Sequence, residues 1–298
     1  MDDALSERML GYWTLALRAE RKAPQTVKSY TTGPRDLIAF LEAEGEPVEL
    51  NRGGVQRYIA ALLESGREPA TVRSRLLGIK RFAAWLTEDG TLETNPVASL
   101  RLPKLDTKVV QPLTDDDLRA LLKACKGQEF RDLRDTAIVR LMAETGIRAG
   151  ECAAIAVADV DLPGGTVIVR RGKGGKGRVV PIGPQTVQAI ADYKRKGRDR
   201  HALADRSELW LGDRKRGFSY DALHKALAGR AKAAGLEGFH PHLLRHTAAH
   251  RWLAAGGSEG GLMAVAGWTR PDMIQRYTKA RAGERAATEA RGLNLGDI

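Results

Sequence analysis

Residues 240–280 read HPHLLRHTAAHRWLAAGGSEGGLMAVAGWTRPDMIQRYTKA. His242 and Arg245 stand three residues apart, about one helical turn, so both can point the same way. Pro241 precedes them near a helix start, and helix starts favour anions. Trp268 and Tyr277 follow downstream. Phosphate-binding cations, an indole N–H donor and a phenol hydroxyl are the parts needed to attack a phosphodiester without a metal. Each residue alone has a duller use: a lone helical His is more often structural, and a single Tyr more often packs. The rest of the chain has to decide between these readings.

The chain has 298 residues, a length that favours two domains. Its apolar fraction of 43% supports a packed core. The net charge is +11 and the isoelectric point about 9.8, which implies a polyanionic partner, most simply nucleic acid. The excess is segregated. Residues 1–105 carry 15 Lys and Arg against 14 Asp and Glu, and the remainder carries 33 against 23. Cys125 and Cys152 are the two cysteines, too few for a disulfide framework or a zinc site, which implies a reducing cytoplasm. No apolar run approaches a membrane span. The acidic, polar start MDDALSERML does not read as a signal peptide.

Working outward from residues 240–280, the chain reads as mainly α with a small β-sheet. Residues 1–104 read as an all-helical domain. Its fourth helix, PATVRSRLLGIKRFAAWLTEDG, gathers Val72, Leu76, Ile79, Phe82, Ala83 and Leu86 on one face. Arg73, Arg75, Lys80 and Arg81 lie largely off that face. They are candidates for DNA-backbone contact, with a solvated helix face as the equal alternative. Residues 105–113, with no clear period, read as a linker. Residues 114–298 read as a mixed α+β domain, with Thr114 as a helix N-cap and Gly146 as a helix stop. TVIVRR and GRVVPI read as a hairpin, and SELWLGD as a short strand.

Two further segments carry candidate chemistry. In ETGIRAGE, Arg148 follows the glycine stop and Glu151 stands three residues on. A surface ion pair between them is the bland alternative. The hairpin turn RRGKGGKGR carries Lys173, Lys176 and Arg178. It is not a P-loop: no Gly-Lys-Ser/Thr is present, and the turn joins two strands. From the turn alone, a flexible basic loop touching phosphate competes with a proton-donating lysine.

Together, TGIRAGE, KGGKGR, HLLRH and GWTRPDMIQRY resemble, in order and spacing, the boxes of the tyrosine recombinase (phage integrase) family. TVKSYTTGPRDLIAFLE, TVRSRLLGIKRFAAWL and NPVASLRLPK resemble its helical core-binding domain, so nearly the whole chain is covered. The family's usual second histidine is Trp268 here, a replacement found in other members. An indole can donate a hydrogen bond to phosphate but cannot shuttle a proton. No arm-type domain precedes the core-binding part, which suggests a compact Xer-like or Cre-like organisation.

The resemblance implies a site-specific recombinase that works without metal or cofactor. Arg148 and Arg245 would hold the phosphate, Tyr277 would attack it, His242 would act as base, Lys173 would protonate the leaving oxygen, and Glu151 would orient its cationic neighbours. Lys176 and Arg178 would contact DNA. The implied partners are a double-stranded attachment or core site, three further protomers in a synaptic tetramer, and accessory DNA-bending or directionality proteins; no membrane is implied. A type IB topoisomerase-like enzyme and a DNA-binding relative without catalysis are the alternatives.

Overall fold

The computed structural model describes residues 4–105, 111–170, 177–213, 217–270 and 273–274. Lys173, Lys176 and Tyr277 lie outside the described residues. The chain divides into two compact units, residues 1–109 and 110–298.

The first unit is helical: α1 (Glu7–Ala19), α2 (Pro24–Ala43), α3 (Arg52–Glu64) and α4 (Pro69–Glu88). Ser6 caps α1 and Asn51 caps α3, each by accepting a backbone N–H three residues on. All six apolar residues expected on one face of α4 are buried. Leu76, Ile79, Phe82, Ala83 and Leu86 pack with Leu10, Trp13, Leu37 and Leu41. Each large side chain among them contributes about 1.5–3 kcal/mol on leaving water. That outweighs the roughly 1 kcal/mol cost of Gly78 inside the helix.

Gly78 has a purpose there. A Cβ at Gly78 would lie 2.4 Å from Tyr30 O, and one at Gly33 would lie 2.2 Å from Arg75 O. α2 and α4 therefore meet backbone to backbone at a reciprocal glycine notch. Pro34, inside α2, cannot donate to Tyr30 O, and Gly78 packs against that carbonyl.

The second unit contains α5 (Asp115–Ala124), α6 (Phe130–Thr145), α7 (Ala149–Ala153), strands β1 (Val160–Asp161), β2 (Thr166–Val169) and β3 (Arg178–Pro181), then α8 (Pro184–Asp192), α9 (Tyr220–Ala233), α10 (Pro241–Ala254) and α11 (Glu259–Ala266). Thr114 caps α5 in a reciprocal capping box with Asp117. Gly146 ends α6 in the left-handed region. The antiparallel sheet has the order β1-β2-β3, with Ile168 opposite Val179. Val167, Val169 and Val180 point into a core with Ile138, Leu141, Met142, Trp210 and Leu244.

Two features differ from the sequence reading. β1 adds a third strand to the expected hairpin. SELWLGD forms only isolated bridges, Ala156 with Glu208 and Leu211 with Gly217, instead of a strand. Side chains satisfy much of its backbone. Arg198 donates to the carbonyls of Glu208 and Leu209, while the Tyr193 hydroxyl donates to Leu209 O and accepts from Leu211 N–H.

Candidate active site

The site is built around the end of α6. Gly146 holds φ near +62° and turns the chain sharply. Buried Ile147 anchors the next step, which makes Arg148 the N-cap of α7. Glu151 reaches back and accepts the Arg148 backbone N–H at 3.1 Å and its Nη1 at 2.8 Å. The expected Arg148–Glu151 pair is therefore present, but not as a surface pair: the Glu151 side chain is 6% exposed.

A second helix end completes the cluster. Gly267, with φ +65°, terminates α11. The carbonyls leaving that helix are met by three guanidiniums. Arg178 Nε donates to Val265 O at 2.8 Å, Arg245 Nη1 to Ala266 O at 2.8 Å, and Arg148 Nη2 to Gly267 O at 3.1 Å. Helix C-termini expose unsatisfied carbonyls and partial negative charge, so they gather cations. Arg245 also donates to Gly146 O at 2.6 Å, which joins the two glycine turns. Glu151 bridges Arg148 and Arg178, accepting from Arg178 Nη2 at 2.8 Å and Nη1 at 3.2 Å. Burial pushes the Glu151 carboxyl up, but hydrogen bonds and charge from Arg178 and Arg148 outweigh this and hold it below its ordinary value. The carboxylate stays ionised at neutral pH and offsets one of three guanidinium charges.

Trp268 follows directly. It packs with Ala249, Leu253, Leu262, Ala266 and Ile274, and the Arg245 guanidinium stacks over its ring at 5.0 Å. Arg245 is 2% exposed, whereas the Arg148 side chain is 27% exposed. His242, one turn before Arg245 on α10, is exposed, so the two residues share a helix but not an environment. Its ring lies 6.4 Å from that of His240. His246 stacks on His250 at 4.8 Å. Burial, followed by His250, His242 and His240, pushes His246 down to about 4, so it is neutral at pH 7.

The candidate DNA contacts fare differently. Arg178 is tied into the cluster, with a side chain 12% exposed. Its place was available from strand alternation, because it shares the inward face of β3 with buried Val180. In the first unit, Lys80 donates to the carbonyls of Val97, Ala98 and Leu100. Arg73 donates to Pro103 O at 2.9 Å, Arg75 pairs with Asp36 at 2.8 Å, and Arg81 lies over the Tyr30 ring. All four have intramolecular partners, and Arg73 and Lys80 lace the segment after α4 onto that helix.

No group of three or more His, Cys, Asp or Glu suited to a metal occurs among the described residues. No described helix is long and apolar enough to cross a membrane.

The phage integrase family pattern matches residues 111–284. Tyrosine recombinase XerC of Chromohalobacter salexigens is 31% identical over 86% of this chain and 86% of that protein. Tyrosine recombinase XerC of Xanthomonas campestris pv. campestris is 30% identical over 88% and 81%. Among solved structures, XerA recombinase is similar at 25% identity, covering 95% of this chain and 98% of that one, with a TM-score of 0.54. A lambda integrase tetramer bound to a Holliday junction shares the fold with a TM-score of 0.72 at 15% identity, covering 91% and 76%. The chain belongs to the phage integrase family and is a tyrosine-type site-specific recombinase.

Proposed function

We propose that this recombinase cuts and rejoins double-stranded DNA through a 3′-phosphotyrosine link to Tyr277. The observation that carries the proposal is the gathering of Arg148, Arg178 and Arg245 at Glu151 and the α11 carbonyls. Attack by a phenolate on a phosphodiester produces a transition state with about two negative charges. Three guanidiniums less one carboxylate supply the matching excess, preorganised before the substrate arrives. Arg148 and Arg245 face the nonbridging oxygens. Their forked donors stay protonated at neutral pH.

Tyr277 bonds to phosphorus and the 5′ oxygen leaves. His242, exposed at the start of α10, takes the phenol proton, and Lys173 of the hairpin protonates the leaving oxygen. The phosphotyrosine bond conserves the energy for religation by an incoming 5′ hydroxyl. Trp268 holds Arg245 and donates its indole N–H toward phosphate. Residues 1–104 form a core-binding domain, 105–113 a linker, and 114–298 the catalytic domain with its tail. Four protomers act on two sites through a Holliday junction, on chromosomal or mobile-element DNA in the cytoplasm. Accessory DNA-bending or directionality proteins are further partners.

A nicked suicide duplex carrying the target site tests this reading. Wild type should accumulate a covalent protein–DNA complex, and Tyr277→Phe should form none. A covalent complex that persists in Tyr277→Phe would assign the nucleophile elsewhere.

A further inference from the structure

We infer that Arg178 is a positioning residue for the reaction, a latch that ties the foot of the β2–β3 hairpin to Glu151 and to the end of α11. This rests on the reading of the Arg148, Glu151 and Arg245 cluster as the phosphate site.

The latch is built from both ends. Arg178 offers both terminal nitrogens to both Glu151 oxygens, at 3.2 and 2.8 Å, and its Nε to Val265 O at 2.8 Å. Glu151 then passes the constraint to Arg148, whose backbone and side chain bind the same carboxylate. Gly267 forms the seat. A Cβ there would lie 2.8 Å from Arg178 Nη1, 2.9 Å from Cζ and 3.1 Å from Nε, so the guanidinium packs against bare glycine backbone. The positive φ separately favours glycine at this position. One side chain thus joins β3, the start of α7 and the end of α11. Lysine's three donors all leave one nitrogen, so it cannot reproduce a planar fork whose three separate nitrogens meet both carboxylate oxygens and a carbonyl together.

The consequence for catalysis runs through Arg148. Without Arg178, Glu151 keeps its burial but loses a bidentate partner. Its carboxyl rises toward protonation, and a protonated Glu151 holds Arg148 less firmly. The charged groups in contact with Glu151 among the described residues are Arg148, from the turn before α7, and Arg178, from β3. Misplacing a catalytic group by about 1 Å costs on the order of 100-fold in rate. A phosphate contact, the competing role for Arg178, predicts something else: weaker binding to any duplex and a salt slope reduced by about one.

The test uses the full-length protein with Arg178→Ala, Arg178→Lys, Gly267→Ala and Arg178→Ala/Gly267→Ala. Binding to a short duplex of arbitrary sequence is measured against salt. Cleavage is timed on the suicide duplex that traps wild type, and melting is followed for all variants. The latch predicts an unchanged salt slope and cleavage slowed about 100-fold in Arg178→Ala, with Arg178→Lys between that variant and wild type. Arg178→Ala should also gain a further acidic limb in its rate–pH profile, beyond the one the His242 base gives every variant, and adding Glu151→Gln should abolish only this further limb. Gly267→Ala should lower the melting temperature more in wild type than in Arg178→Ala, where the colliding guanidinium is gone.

A salt slope reduced by about one with normal cleavage at saturating DNA overturns the latch. So do wild-type cleavage and pH profile in Arg178→Lys, a comparison that stands even if the alanine variant fails to fold. Additive effects of the two substitutions on melting also count against it. Failure of wild type to form any covalent complex would instead remove the reading of the site, while the coupling between positions 178 and 267 is still read from melting.

Discussion

Trp268 has a packing role and a proposed chemical role, which substitution can separate. Its ring fills the cluster beneath α10 and α11 and supports the Arg245 guanidinium from one face. Its indole N–H is the atom proposed to reach phosphate. Trp268→Phe keeps an aromatic face under Arg245 and most of the buried volume, so it should lower stability by only about 1 kcal/mol. Trp268→Ala leaves a cavity and should cost about 3–5 kcal/mol. If the N–H contributes to transition-state binding, Trp268→Phe should slow cleavage about 10-fold or more, with DNA affinity unchanged. Thermal melts and single-turnover cleavage on the suicide duplex measure the two effects. Equal cleavage by wild type and Trp268→Phe would leave Trp268 a packing residue only.

At the scale of elements, the fold was legible wherever a single period governed a segment. α4 showed its buried face through Val72, Leu76, Ile79, Phe82, Ala83 and Leu86, and the whole set is buried. Gly146 and Thr114 marked helix ends through local chemistry, and both act there. What local sequence left hidden depends on distant partners. The glycine notch needs Gly33 and Gly78 to face each other across two helices, yet each reads alone as a weak point in a helix. SELWLGD has strand composition, but Arg198 and Tyr193 satisfy backbone groups that a strand would pair. In the candidate site, Arg148 and Arg245 were visible as residue types. The α11 carbonyls that gather them were not, because helix-end acceptors carry no side-chain signature. The notch gives a direct prediction. Gly33→Ala or Gly78→Ala should destabilise the first unit by about 1–3 kcal/mol, because the facing atoms are backbone and the helices must separate. Gly11→Ala is the control. Gly11 lies inside α1 with nothing within 4 Å of an added Cβ, so this change should stabilise by about 0.5–1 kcal/mol. Melting temperatures of the three variants decide it, and a stabilising Gly78→Ala would contradict the packing described.

For the whole molecule, charge and chemistry are divided between the units. Residues 1–105 are nearly neutral by count, and the four cations proposed as contacts on α4 have internal partners. The excess lies in the remainder of the chain, with the arginine cluster. Sequence-independent attraction to DNA is therefore expected mainly from the second unit, and is expected to weaken steeply with salt. A protein with several phosphate contacts loses about 10³–10⁵ in affinity between 50 and 200 mM. Charge alone would let the enzyme sit on any duplex. A type IB relaxing enzyme would cut wherever it sat, whereas a recombinase must withhold cleavage until its site is bound and paired. Supercoiled plasmids separate the two. A plasmid carrying two directly repeated target sites should yield two smaller circles, and inverted sites should yield inversion. A plasmid without a site should be bound at low salt yet stay supercoiled. Equal relaxation of plasmids with and without sites would mean that the arginine cluster acts without instruction from sequence, as a topoisomerase does.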